Sequence, residues 1–139
     1  MDTLRTPATL AQLDTIQTFV LECARTAKAP PDLDGKLGLV LEELAVNVFN
    51  HAYGKDEGEL EVSCDVLPMV QGRCFCVTLK DWGLAFDPLA TAAPDTTLDV
   101  EQRPIGGLGI LLVVNMSDSI SYERQGDTNV LRVCFQLPE

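Results

Sequence analysis

From Ala8 to Lys28 the apolar positions Leu10, Leu13, Ile16, Phe19, Val20 and Cys23 recur every three or four residues, the spacing of an amphipathic helix. The few residues before it read as an edge strand. Pro30-Pro31 stops this helix, and Asp32 or Asp34 can cap the next. A second helix is predicted over Asp34 to Tyr53, with Gly54 as its C-cap. Leu60, Val62, Cys64 and Val66 then alternate with polar residues, as a strand's side chains do, until Pro68 and Gly72. Cys74 to Leu79 reads as another strand, ending at Asp81. Periodicity is lost from Asp87 to Gly107, where Pro88, Pro94, Pro104 and Gly106-Gly107 occur. Irregular stretches this long inside a compact domain usually carry function. A third helix follows over Leu108 to Met116. Two strands, Ser119 to Arg124 and Val130 to Leu137, are joined by a Gly126-Asp127 turn. This order predicts one domain over residues 1–139: an α/β (α+β) two-layer sandwich, its mostly antiparallel sheet carrying three helices on one face.

Composition narrows the functions open to such a domain. The 139 residues are 46 % hydrophobic and 22 % charged, an ordinary globular balance. A net charge of −11 disfavours nucleic acid, whose phosphates need clustered Lys and Arg. An anionic ligand such as a nucleotide would need local help from a metal ion, a helix N-terminus or a placed cation. Five cysteines (Cys23, Cys64, Cys74, Cys76, Cys134) form no C-x-x-C pair, and Cys74 and Cys76 share one face of their strand. They are expected to be buried thiols, neither disulfides nor zinc ligands. No signal peptide or apolar run of about 20 residues is visible, so a cytoplasmic protein without a membrane span is expected.

The second helix holds the most chemical information. At about 100° per residue, Leu37, Val40, Leu41, Leu44 and Val48 share one arc, the face expected to be buried. Glu43, Asn47 and His51 step along the margin of that face, while Glu42 points toward solvent. Taken alone, the stripe also fits a solvated helix face. It also fits a site wall, with a carboxylate for base work and an amide oxygen one turn away for a metal. Two glycine-bearing turns lie further on. Asp81-Trp82-Gly83 at a strand's end can present a carboxylate to an exocyclic amine. Gly106-Gly107-Leu108-Gly109-Ile110, at the start of the third helix, can approach phosphate closely with free N–H groups. Neither turn is a Walker A or a Rossmann fingerprint.

In this order the three segments resemble the GHKL (histidine kinase-like) ATPase superfamily, and within it the serine/threonine kinases that act as anti-sigma factors. Glu43-x-x-x-Asn47 with His51-Ala52-Tyr53 is similar to the N box, and Asp81-x-Gly83-x-x-Phe86-Asp87 to the G1 box. Gly106-Gly107-Leu108-Gly109-Ile110 with Leu112 is similar to the G2 box, and Asp127-Thr128-Asn129-Val130 fits the closing strand. Two departures stand out: Ala85 replaces a second G1 glycine, and the bulky Trp82 fills a position more often polar, where it could stack on adenine or crowd it.

The resemblance implies a Bergerat-type fold that binds ATP and Mg²⁺. It implies Glu43 as general base, Asn47 as the Mg²⁺ ligand, and Asp81 with Gly83 at the adenine. His51 completes the N box, and Gly106, Gly107, Leu108 and Gly109 line the phosphates. A lid would span about residues 88–107, with Arg103, its one cation, as a phosphate contact. The implied activity is transfer of phosphate from ATP to a serine of an anti-anti-sigma protein, with a sigma factor as the alternative partner and a homodimer as the assembly. The rival expectations are the ATPase domain of a sensor histidine kinase, an interaction module that does not turn over ATP, and an α/β domain that binds no nucleotide.

Overall fold

The structure is a computed structural model and describes residues 2–54, 56–91 and 107–138. Five strands, β1 (Asp2–Pro7), β2 (Glu59–Pro68), β3 (Arg73–Asp81), β4 (Ser119–Gln125) and β5 (Thr128–Leu137), form one sheet in the order β1-β2-β3-β5-β4. Every pairing is antiparallel. Three helices, α1 (Leu13–Thr26), α2 (Leu33–His51) and α3 (Gly107–Met116), cover one face. The expected two-layer α+β sandwich is what forms.

Alternation decides which side of each strand meets the helices. Leu60 and Val62 of β2, Phe75, Val77 and Leu79 of β3, and Leu131, Val133 and Phe135 of β5 point into the core. Ile16 and Val20 of α1, Leu37, Leu41 and Leu44 of α2, and Ile110 and Val113 of α3 pack onto them. Each such side chain, fully removed from water, stabilises the fold by about 1.5–3 kcal/mol. The C-terminal end of β3 meets the start of β5, so that Asp81 lies directly opposite Asn129. Both are on the core-facing side, at the margin of the helix layer.

Several boundaries differ from expectation for identifiable reasons. A 3-10 turn over Leu10–Gln12 precedes α1, which starts later than the apolar periodicity. α1 ends at Thr26, before Pro30-Pro31. Lys28 adopts a left-handed conformation (φ 61°), Ala29 N–H donates to the Ala24 carbonyl (2.9 Å), and Lys28 N–H donates to that of Arg25 (3.0 Å). That Schellman closure, not the prolines, terminates the helix. Asp32 holds the N-cap position of α2 without a side-chain cap hydrogen bond. Ala52 is the C-cap of α2, and Gly54 turns the chain two residues later with φ 61°.

The cysteines require a correction. Cys76 and Cys134, 58 residues apart, are joined in a disulfide. The register sets them directly opposite on β3 and β5 with Cα atoms 4.1 Å apart, a pairing that no sequence spacing reveals. Cys23, Cys64 and Cys74 are free thiols. Burial pushes the Cys64 thiol far above its ordinary range, as befits an inert core side chain.

Candidate functional site

The end of β3 delivers Asp81 to a place almost closed to solvent. Its Oδ1 accepts the N–H of Gly83 (2.9 Å) and the Nδ2–H of Asn129 (2.9 Å). Asn129 also donates through Nδ2 to the Leu84 carbonyl (2.8 Å), and its Oδ1 accepts the Phe86 N–H (3.2 Å) and the Tyr122 hydroxyl. One buried amide thus satisfies four groups from three segments. Such a network specifies one arrangement because each broken bond would leave a buried polar group without a partner.

The turn after Asp81 is fixed from two further sides. Leu84 N–H donates to the Ala52 carbonyl at the end of α2 (2.8 Å), and Arg124 Nη1 donates to the Gly83 carbonyl (2.8 Å). Gly83 lies so near the Ala52 carbonyl that a β-carbon on it would overlap the backbone there. Glycine is required at 83 by this close approach. Trp82 points away. Its backbone N–H donates to the Tyr53 hydroxyl (2.9 Å), and its indole lies under the Arg5 guanidinium, 4.3 Å from the ring centre, with Lys80 5.4 Å away. It neither stacks in the Asp81 cavity nor crowds it, because these two cations offer its face a partner outside.

Asp81, Asn129, Tyr122 and Phe86 line a cavity of about 30 Å³ together with Asn47 and Leu44 of α2. That volume accommodates water-sized occupants only. The His51 ring, outside this wall, stacks on Phe86 with centroids 4.7 Å apart and planes 17° from parallel.

Along α2, Glu42 is exposed while Glu43 and Asn47 are half-buried. Neither the Glu43 carboxylate nor the Asn47 amide makes a hydrogen bond or ion pair with any described residue. The Glu43 carboxylate abuts the Cα of Gly109 in the first turn of α3, where a β-carbon would overlap it. Of the glycine-rich segment, Gly107 and Leu108 are described as the opening of α3, by backbone alone. Arg103 and Gly106, and most of the expected lid, lie outside the described residues. Pro88–Thr91 forms a 3-10 turn, with the Asp87 carboxylate accepting the Leu89 N–H (2.9 Å).

The structure therefore brings Asn47 and Asp81 to one cavity, sets Gly83 behind it, and sets Glu43 against Gly109. Its geometry joins the turn after Asp81 to a helix stripe that leads to the N-terminus of another helix. The profile of the histidine kinase-like ATPase domain matches residues 6–135. The chain belongs to that family.

Among solved structures, this histidine kinase-like ATPase domain is similar in fold to a chain of the SiaB-SiaC complex from Pseudomonas aeruginosa. The likeness has a TM-score of 0.50 and 14 % sequence identity, over 97 % of this chain and 89 % of that one. No curated protein matches. No helix among the described residues is long and apolar enough to cross a membrane. Asn129, Tyr122 and Arg124 hydrogen-bond around the Asp81 turn, and the motif reading gave none of them a site role. Asn129 leaves one signal in the chain: it holds a core-facing position in step with Leu131, Val133 and Phe135, and a polar residue there needs a buried partner.

Proposed function

We propose that this domain is an ATP-dependent protein serine kinase of the anti-sigma, partner-switching kind. The observation that carries the proposal is the convergence of Asp81 and Asn47 on one cavity whose α2 wall continues to Glu43 and the start of α3. Asp81 accepts a hydrogen bond from the adenine amino group while Asn129 holds its carboxylate in place. The first turn of α3, with Gly107 and Gly109, offers backbone N–H groups to the phosphates. Magnesium, when bound, supplies the positive charge that offsets the phosphates, a need made greater by the net charge of −11. Asn47 fits as its ligand, since its amide is half-exposed in the cavity wall and has no described side-chain partner. Glu43 takes the proton of the attacking serine hydroxyl. The expected partners are an anti-anti-sigma protein as substrate and a sigma factor as the alternative partner, phosphorylation of the substrate deciding which is held. The fold likeness to a chain crystallised with a protein partner supports a protein substrate. The cytoplasm and a homodimer belong to the same proposal.

The test is calorimetric titration of Mg·ATP into the full chain, beside Asn47→Ala and Asp81→Ala. Saturable binding that each substitution weakens by about tenfold or more is expected. Absence of binding by the unaltered chain would sink the proposal. Tight binding with no phosphate transfer to a serine of a partner would leave an interaction module in its place.

A further inference from the structure

The face of the sheet turned away from the helices carries its own small buried cluster, made of Cys74, Cys76 and Cys134. Cys74 and Cys76 are two residues apart on β3 and so point to the same side; Cys134 stands opposite Cys76 on β5. The three are only 7 %, 1 % and 8 % exposed, although no helix among the described residues packs over them. Their sulfurs all lie within 4.8 Å of one another, and those of Cys74 and Cys76 are 3.8 Å apart. On the same face, one pleat along β5 from Cys134, stands Arg132. Its Nη2 is the one buried side-chain nitrogen or oxygen without a hydrogen-bond partner among the described residues.

We propose that, when the Cys76–Cys134 disulfide is reduced, these three cysteines bind a zinc ion as thiolates. Zinc–sulfur bonds of about 2.3 Å in tetrahedral array set sulfurs about 3.8 Å apart. Cys74 and Cys76 already stand at that separation. A thiol reductant breaks the disulfide by supplying two electrons and two protons, and is itself oxidised to a disulfide. Cys134 then moves from bonding to contact distance. Zinc displaces three thiol protons, so the ion and three thiolates together carry one negative charge. The Arg132 guanidinium beside them carries the compensating positive charge, and its unpartnered N–H is a donor for a thiolate sulfur. Thiolates select a soft or borderline cation, so magnesium is not a competitor here. Three thiolates leave the fourth tetrahedral position of zinc for a further ligand.

The test uses the full chain, reduced with a phosphine and kept free of oxygen. Cobalt(II) is added as a spectroscopic stand-in, followed by zinc in competition with a chromophoric chelator. One equivalent per chain is expected, with a thiolate-to-cobalt charge-transfer band and tetrahedral d–d absorption. Cys74→Ser and Cys134→Ser should each weaken binding by more than about 100-fold, and Arg132→Gln by about tenfold. Cys23→Ser should leave it unchanged. Cys74→Ser keeps the cross-strand pair intact, so its loss of binding is separable from misfolding by circular dichroism. No charge-transfer band in the reduced chain would overturn the proposal. So would equal binding by the oxidised chain, or binding that survives Cys134→Ser. None of these outcomes depends on ATP.

Discussion

At one end of the candidate site Asp81, Asn129 and Tyr122 hold one another in hydrogen bonds, whereas further back along α2 Asn47 and Glu43 have no described side-chain partner. The first group lies at the ends of the central strands, where burial demands that every polar atom be matched. The second sits on a half-exposed helix stripe, where water can satisfy its polar groups. One end of the site is thus part of what holds the fold together. The other carries polar side chains with no described partner. Substitutions at the two ends should therefore separate stability from function, and that separation can be measured.

The largest expected loss of stability comes from Asn129→Ala. It strips partners from the Asp81 carboxylate, the Leu84 carbonyl, the Phe86 N–H and the Tyr122 hydroxyl at once, and should cost about 3 kcal/mol in urea unfolding. Nucleotide binding should fall with it, because Asp81 loses its support. Gly83→Ala comes next, at about 2 kcal/mol, since the new methyl meets the Ala52 backbone and not a side chain that can swing aside. Tyr122→Phe removes a single hydrogen bond and should cost about 1 kcal/mol. If Asn129→Ala proved no worse than Tyr122→Phe, the bonded end would not be the structural unit described here.

The same division governs what could be read from the chain beforehand. The shift from helical to alternating periodicity located α1, α2, β2 and β3, because burial on one face imposes those periods. Glu43 rather than Glu42 at the core margin followed from helix geometry alone. Asn129 was legible in principle, through its place in step with Leu131 and Val133, but a motif defined by Asp81 and Gly83 draws attention away from it. Other features depend on register or on neighbours distant in sequence. Cys134 meets Cys76 only once β5 is set against β3. Trp82 turns outward because Arg5, 77 positions earlier, supplies a cation for its ring. Phe86, part of the cavity's lining, is held by Asn129 and His51 from two sides. No local pattern encodes such closures.

The smallest effects on stability should come from the open end, and there the changes in function should be largest. Asn47→Ala and Glu43→Gln remove no described side-chain hydrogen bond, so each should shift unfolding by less than about 0.5 kcal/mol. Asn47→Ala should weaken nucleotide binding in the presence of magnesium and leave magnesium-free binding unchanged. Glu43→Gln should keep binding and slow phosphate transfer by about 100-fold or more. Gly109→Ala sharpens the contrast. Its methyl meets only the free end of Glu43, which can rotate away, so the fold should tolerate it while the carboxylate leaves its place. Transfer should then fall as it does in Glu43→Gln, with stability close to that of the unaltered chain. A Gly109→Ala protein as unstable as Gly83→Ala would mean that both ends of the site are equally part of the scaffold.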